Sequence, residues 1–343
     1  MYKLKQIPSD FIVKEIFDHQ ETKGKYYYFL LTKENRNTLD VIKEIARKLN
    51  LKTKDIGFSG TKDKVAITSQ VISIPFKRDQ AKNLEIINAK LEYLHQSNKP
   101  LSLGDHQKNQ FTITIRNLED KPINQLINQF KYLENYFDEQ RFSKNNVKIA
   151  KAFLTKDFKL AAKLIDQRQV QEHLKQVPTD FIGAIKKAPM RLLRLLVNSY
   201  QSYIFNTTLS QYLTNNHKNQ IIKQDKYSQG TLTFINDKQI EQIKDLTIPL
   251  IGFSKTLSDN QEINTIATNI LKQDNLTNKN FIIKQIPQIT LEGELKQAFI
   301  EIENLIIQES QPDELNENKK KIKVTFTLPK SSYATMAIRK LIK

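Results

Sequence analysis

Ile56-Gly57-Phe58-Ser59-Gly60-Thr61-Lys62-Asp63-Lys64-Val65-Ala66-Ile67-Thr68-Ser69-Gln70 is the stretch on which the reading of this chain turns. It sets two of the chain's eight glycines three residues apart, then a Lys-Asp-Lys triplet, then a run rich in β-branched residues. That order predicts a tight loop feeding a strand. The glycines allow positive φ or close approach of the backbone to another group. The flanking cations lower the cost of keeping Asp63 ionised, and a positioned carboxylate can attack carbon or take a proton. Taken alone, the loop reads first as a turn with solvated charges, since such short patterns are common. It is not a phosphate cradle of the Gly-Lys-Ser/Thr kind, because Lys62 is followed by Asp63.

On the N-terminal side, Leu4–Ile16 reads as an extended segment broken at Pro8, with Phe11, Val13 and Glu15 sharing one side of a strand. Tyr26–Thr32 is a second strand, and Asn37-Thr38 caps a helix through Leu49. On the C-terminal side, the strand after the loop runs to Pro75, and Leu91–His95 and Phe111–Ile115 are further strands. Pro122–Phe137 has apolar helical spacing at Ile123, Leu126, Phe130, Leu133 and Phe137. From 143 to 290 the pattern turns mostly helical, with short helices over Val147–Leu154 and Phe158–His173. A long helix runs from Pro189 to Leu213, and strands are expected near Thr231–Ile235 and Phe281–Lys284. Glu292–Ile307 reads as an amphipathic helix, Ser310–Lys321 as a polar linker and Ile322–Leu328 as a strand.

With 343 residues, two domains are the default. The 54 basic against 37 acidic residues leave a net charge of +17, which points to a polyanion and to nucleic acid before membrane. The absence of cysteine excludes disulfides, thiolate metal sites and cysteine nucleophiles. The five histidines, His19, His95, His106, His173 and His217, show no i,i+4 pair, so no metal is expected. No apolar run approaches the roughly 20 residues of a spanning helix, and a cytoplasmic protein with no membrane contact is expected.

The loop pattern Gly-x-x-Gly-x-Lys-Asp-x-x-Ala-x-Thr-x-Gln resembles the signature of the TruD family of tRNA pseudouridine synthases, and further matches follow in family order. Leu4-Lys5-x-x-Pro8-x-Asp10-Phe11-x-Val13-x-Glu15 is similar to the family's opening motif. Leu103-Gly104 with Asn109-x-Phe111, the run Asn135–Phe142, and Pro329–Arg339 resemble its later motifs. Lys108, Asp138 and Ser331 stand where the family has glycine, leaving the local backbone of those loops open. The resemblance implies an α+β fold in which a catalytic domain with a mixed, mainly antiparallel sheet (1–142 and 291–343) is interrupted by a mostly helical insertion (143–290), with a basic cleft between them. It implies isomerisation of uridine to pseudouridine in tRNA, most often at position thirteen of the D arm and in some members at an anticodon-loop or other RNA uridine, by a monomer without cofactor; the rival reading is a catalytically silent RNA-binding relative. Asp63 is then the catalytic group, with Lys5 as the base beside it. Phe11, Glu15, Asn109, Phe111 and Tyr333 form the substrate pocket, Phe111 stacking on the target base. For Asn135–Phe142, a structural junction and an RNA contact both remain open.

Overall fold

The computed structural model describes residues 2–18, 21–76, 78–122, 125, 127–143 and 145–342. His19 and the Ile123 and Leu126 positions of the expected helix lie outside them. The chain packs into two compact units, Met1–Lys131 with Glu301–Ala334, and Tyr132–Ile300 with Thr335–Lys343.

The first unit is built on a nine-stranded sheet. Its strands are β1 Phe11–Ile16, β2 Tyr26–Glu34, β3 Gly57–Phe58, β4 Ile67–Pro75, β5 Ala89–Ser97, β6 Lys108–Leu118, β13 Glu303–Ile307, β14 Gln311–Pro312 and β15 Lys320–Pro329. The strands that come between β6 and β13 in the chain fall within Tyr132–Glu301. The sheet order is β13-β15-β6-β1-β4-β2-β5, with β14 added to β15 and β3 to β4. Only the β1–β4 pair is parallel among the pairings described. The period-two alternation in β1 buries Phe11, Val13 and Glu15 on one side, and the register sets Val13 opposite Phe111 and Glu15 opposite Asn109. Strand β15 completes the row, with Phe326 opposite Phe111 and Leu328 opposite Asn109.

The helix Thr38–Lys48 turns Val41, Ile42, Ile45 and Ala46 inward, where they pack with Phe29, Leu31, Ile72 and Ile74 of β2 and β4. Each Val, Leu, Ile or Phe side chain of this set contributes about 1.5–3 kcal/mol on burial, and the Ala46 methyl less. Asp40 in its first turn and Arg47 and Lys48 in its last complement the helix dipole. This packing fixes the N-terminus of the helix, and Thr38 with it, against the loop after β3.

Strand β7 is Tyr132–Glu134, so the expected helix over 122–137 does not run through its C-terminal part. Glu292–Ile307 is not a helix either. It is three short strands, β11 Glu294–Gln297, β12 Phe299–Glu301 and β13 Glu303–Ile307, paired with β10 Thr247–Leu250, β7 and β15. Apolar residues at helical intervals there serve three different ladders, and tertiary pairing overrides the local period. Phe281–Lys284 is not a strand: a 3-10 turn, Asn278–Phe281, precedes irregular chain. The expected linker 310–321 is tied down, with Asp313 and Asn316 buried.

In the second unit the helix Met190–Asn216 buries Leu193, Leu196, Val197, Tyr200, Ile204, Phe205, Leu209 and Leu213, burial on several faces that marks a central helix. Around it stand the helices Asn146–Leu154, Phe158–Leu164, Arg168–Gln176, Phe181–Lys186 and Gln261–Gln273 and the hairpin β8 Ile221–Tyr227 with β9 Gly230–Ile235. Among the described residues no helix is long and apolar enough to cross a membrane.

Candidate active site

Asp63 sits in the loop between β3 and β4, and almost every residue of that loop is held. Gly57 is required by close packing, since a β-carbon there would lie 2.3 Å from the Leu101 carbonyl oxygen. Ser59 Oγ donates to Glu15 Oε1 at 2.5 Å, and the Gly60 carbonyl accepts from Gln70 Nε2 at 2.8 Å. The Lys62 N–H donates to Thr38 Oγ1 at 3.0 Å, while Thr38 Oγ1 donates to Gln70 Oε1 at 3.1 Å. The Asp63 carbonyl accepts from Lys33 Nζ at 2.8 Å. Four bonds to side chains on β1, β2, β4 and the helix N-terminus therefore set the loop, and the Thr38–Gln70 bond ties two of those side chains together; this is the preorganisation a reacting carboxylate needs.

Lys5 Nζ donates to Asp63 Oδ2 at 2.6 Å and lies 4.0 Å from the centroid of the Phe11 ring. The carboxylate stays open, with 41% of the side chain exposed, and its Oδ1 makes no hydrogen bond among the described residues. Lys5 has φ 56°, a left-handed conformation that costs a bulky residue roughly 1–3 kcal/mol and persists where surroundings impose it. Arg116 supplies the constraint. Its backbone pairs with Lys3 in both directions at 2.9 and 3.0 Å, and its guanidinium bonds Asp10 at 2.8 Å, so it clamps both ends of the segment carrying Lys5. Asp313 at 2.8 Å and Glu314 at 3.1 Å complete its partners, and these acids hold the Arg116 pKa above the ordinary arginine value despite burial.

The Lys-Asp-Lys triplet does not act as a symmetric pair of counter-charges. Lys62 turns to Glu15 Oε1 at 2.7 Å, Lys64 is exposed, and the cation on Asp63 is the distant Lys5. Glu15 is fully used below the loop, its Oε2 accepting the Val71 N–H at 3.0 Å. His106 Nδ1 stands 3.7 Å from it, and burial with the neighbouring Lys62 lowers the His106 pKa, favouring the neutral ring.

Phe111 lies between two rings, 6.1 Å from Phe11 and 5.7 Å from Phe326, and is 8% exposed. Asn109, two residues earlier on β6, has a buried Oδ1 that accepts no hydrogen bond among the described residues. Tyr333 is half-buried on the turn between β15 and the last helix, Ala334–Leu341. The glycine departures resolve separately. Lys108 is a regular strand residue opposite Ile16 and Pro329, Asp138 has φ −80°, and Ser331 alone takes a left-handed φ of 65°.

Lys33 escaped the sequence reading. It is 1% exposed, and burial, ahead of the opposing pull of Asp63 and the push of Lys62, lowers its pKa to about 8. The signal was present: Phe29, Leu31 and Lys33 alternate along β2, which puts a lysine on the strand's apolar face. Among the described residues no group of three or more acids and imidazoles stands close enough to hold a metal ion.

The family model for "tRNA pseudouridine synthase D (TruD)" matches residues 2–166 and 160–341. The chain is 32% identical to the "Probable tRNA pseudouridine synthase D 2" of Methanocaldococcus jannaschii, over 98% of this chain and 91% of that one. It is 28% identical to the "tRNA pseudouridine synthase D" of Aquifex aeolicus, over 99% and 97%. A crystal structure from Methanosarcina mazei, described under the TruD name, superposes with a TM-score of 0.70 at 26% identity, covering 98% of this chain and 92% of that one.

Proposed function

Because the chain belongs to the tRNA pseudouridine synthase D family, we propose that it isomerises uridine thirteen of the tRNA D arm, with Asp63 as the group that acts on the ribose. The N1–C1′ bond breaks, the uracil turns in place, and C5 bonds to C1′. The C5 hydrogen leaves, N1 gains a proton, and no redox partner or energy source is consumed. Asp63 either attacks C1′ or takes a ribose proton to give a glycal; in both routes a fixed carboxylate oxygen must reach the sugar.

The observation that carries this reading is the Lys5–Asp63 pair at 2.6 Å, with one carboxylate oxygen held and the other open. Lys5 balances the negative charge and orients it. Lys33 and Glu15 act as positioning residues, one on the Asp63 carbonyl and the other on Ser59 and Lys62. The uridine must leave its stack for this chemistry. Phe111, backed by Phe11 and Phe326, receives the base, and stacking of this kind offsets roughly 1–3 kcal/mol of the unstacking cost. The unpartnered Asn109 Oδ1 is suited to a uracil N–H, and Tyr333 closes the pocket. Discontinuity of the first unit along the chain supports reading 143–290 as an insertion into the catalytic domain.

Tritium release from tRNA labelled at uridine C5, followed by mapping of the product, tests the reading. Wild type should release tritium with pseudouridine at position thirteen, and Asp63→Asn should bind tRNA and release none. Turnover by Asp63→Asn within about tenfold of wild type would remove Asp63 from the mechanism. Product at another uridine would move the target and leave the chemistry.

A further inference from the structure

The Asn135–Phe142 segment belongs to the second unit and is built rigidly. The Asn135 N–H donates to the Ala298 carbonyl at 2.8 Å and its amide to the Gln297 carbonyl at 3.1 Å. Asn206 of the long helix accepts the Phe137 N–H and donates to the Phe137 carbonyl, each at 2.9 Å. The Phe137 ring is buried edge-on against Phe205 at 5.4 Å.

Two cations are brought to that ring. Lys296 Nζ on β11 lies 5.2 Å from the Phe137 centroid and 5.7 Å from that of Phe205, and the Arg141 guanidinium lies 5.3 Å from Phe137. Neither makes an ion pair among the described residues, and Arg141 Nε is buried without a partner. Glu294, two residues back on β11, favours the charged lysine without reaching it; burial first, and Arg141 second, bring the Lys296 pKa down to about 8. Two like charges beside one ring, each partly buried, with rings that compensate only part of the cost, lack an anion among the described residues.

We propose that Arg141 and Lys296 form an anion site on the second unit that takes a phosphodiester of the substrate RNA. This rests on the reading of the protein as an RNA-modifying enzyme. Arg141 offers planar parallel N–H donors and Lys296 a compact charge, the two complementary ways of holding a phosphate oxygen. A purely structural pair would instead be indifferent to RNA. A bound phosphate relieves the repulsion between the two cations and returns Lys296 to its charged form, so RNA binding near pH 8 is coupled to proton uptake.

Affinity of the full-length protein for unmodified tRNA is measured against salt for wild type, Arg141→Ala and Lys296→Met, with heats of binding taken at pH 8 in buffers of different ionisation enthalpy. Each variant should make the log–log salt slope shallower by about 0.7–0.9, the value of one lost phosphate contact. Wild type should take up a fraction of a proton on binding, and Lys296→Met should lose that uptake. Unchanged slopes in folded variants overturn the site while leaving the function reading intact, and so does binding by wild type without proton uptake, which needs no variant to fold. A wild-type protein that binds no tRNA refutes the function reading, and the site with it.

Discussion

Replacing Lys33 by Met separates positioning from stability. In the folded chain the lysine titrates at about 8 instead of near its ordinary 10.5. Below pH 8 it is charged in both states, and the folded protein carries the full penalty of a buried ammonium. At about 1.36 kcal/mol per pKa unit, that penalty is roughly 3 kcal/mol. Between pH 8 and 10.5 the unfolded chain binds more protons than the folded one, so stability rises with pH across that window and is level on either side. Lys33→Met removes the penalty and leaves the Asp63 carbonyl without its donor, which costs about 1–3 kcal/mol. The two nearly cancel. Urea unfolding at pH 7 should therefore change by no more than about 1–2 kcal/mol, and the rise in stability between pH 8 and 10.5 should disappear. Turnover, read by tritium release, should nevertheless fall by about 10²-fold, the cost of a misplacement near 1 Å. A Met variant that loses more than about 3 kcal/mol at pH 7, or keeps turnover within threefold of wild type, would refute the reasoning.

Arg116→Met should be among the most damaging single changes in the first unit, because Asp10 and Asp313 stay buried without their cation; unfolding should show a loss of about 3–5 kcal/mol. Any Arg116→Met protein that remains folded should also turn over slowly, since the segment holding Lys5 keeps its backbone pairing at Lys3 but loses the guanidinium that holds it at Asp10. Phe111→Ala empties the space between Phe11 and Phe326 and should cost about 3–5 kcal/mol of stability by thermal melting. Phe111→Leu keeps most of the volume and removes the ring, so turnover should fall while melting shifts little. A Leu variant with wild-type kcat would place the base elsewhere.

Where neighbours along the chain carry the information, this protein is readable from its residues. The alternation in Phe11–Glu15 and Phe111–Ile115 and the aromatic, apolar run Tyr26–Thr32 mark strands that are present, and the glycines before Lys62-Asp63 mark a tight stretch whose Gly57 leaves no room for a side chain. The failures share one cause. Glu292–Ile307 and Tyr132–Glu134 pair with strands far away in the chain, and an apolar spacing that suits one helix face suits several short ladders equally well.

The site divides the same way. Asp63 was singled out by its own loop and Lys5 by a family motif, but that Lys62 would serve Glu15 and not Asp63 depended on strand register. So did the contact of Lys33 with the Asp63 carbonyl, 30 residues away, and the clamping of Lys5 by Arg116. Sequence determines which groups are available and which backbone each stretch prefers. Only the tertiary structure decides which charges meet, because the choice among several lysines for one carboxylate is made by a few ångströms of packing.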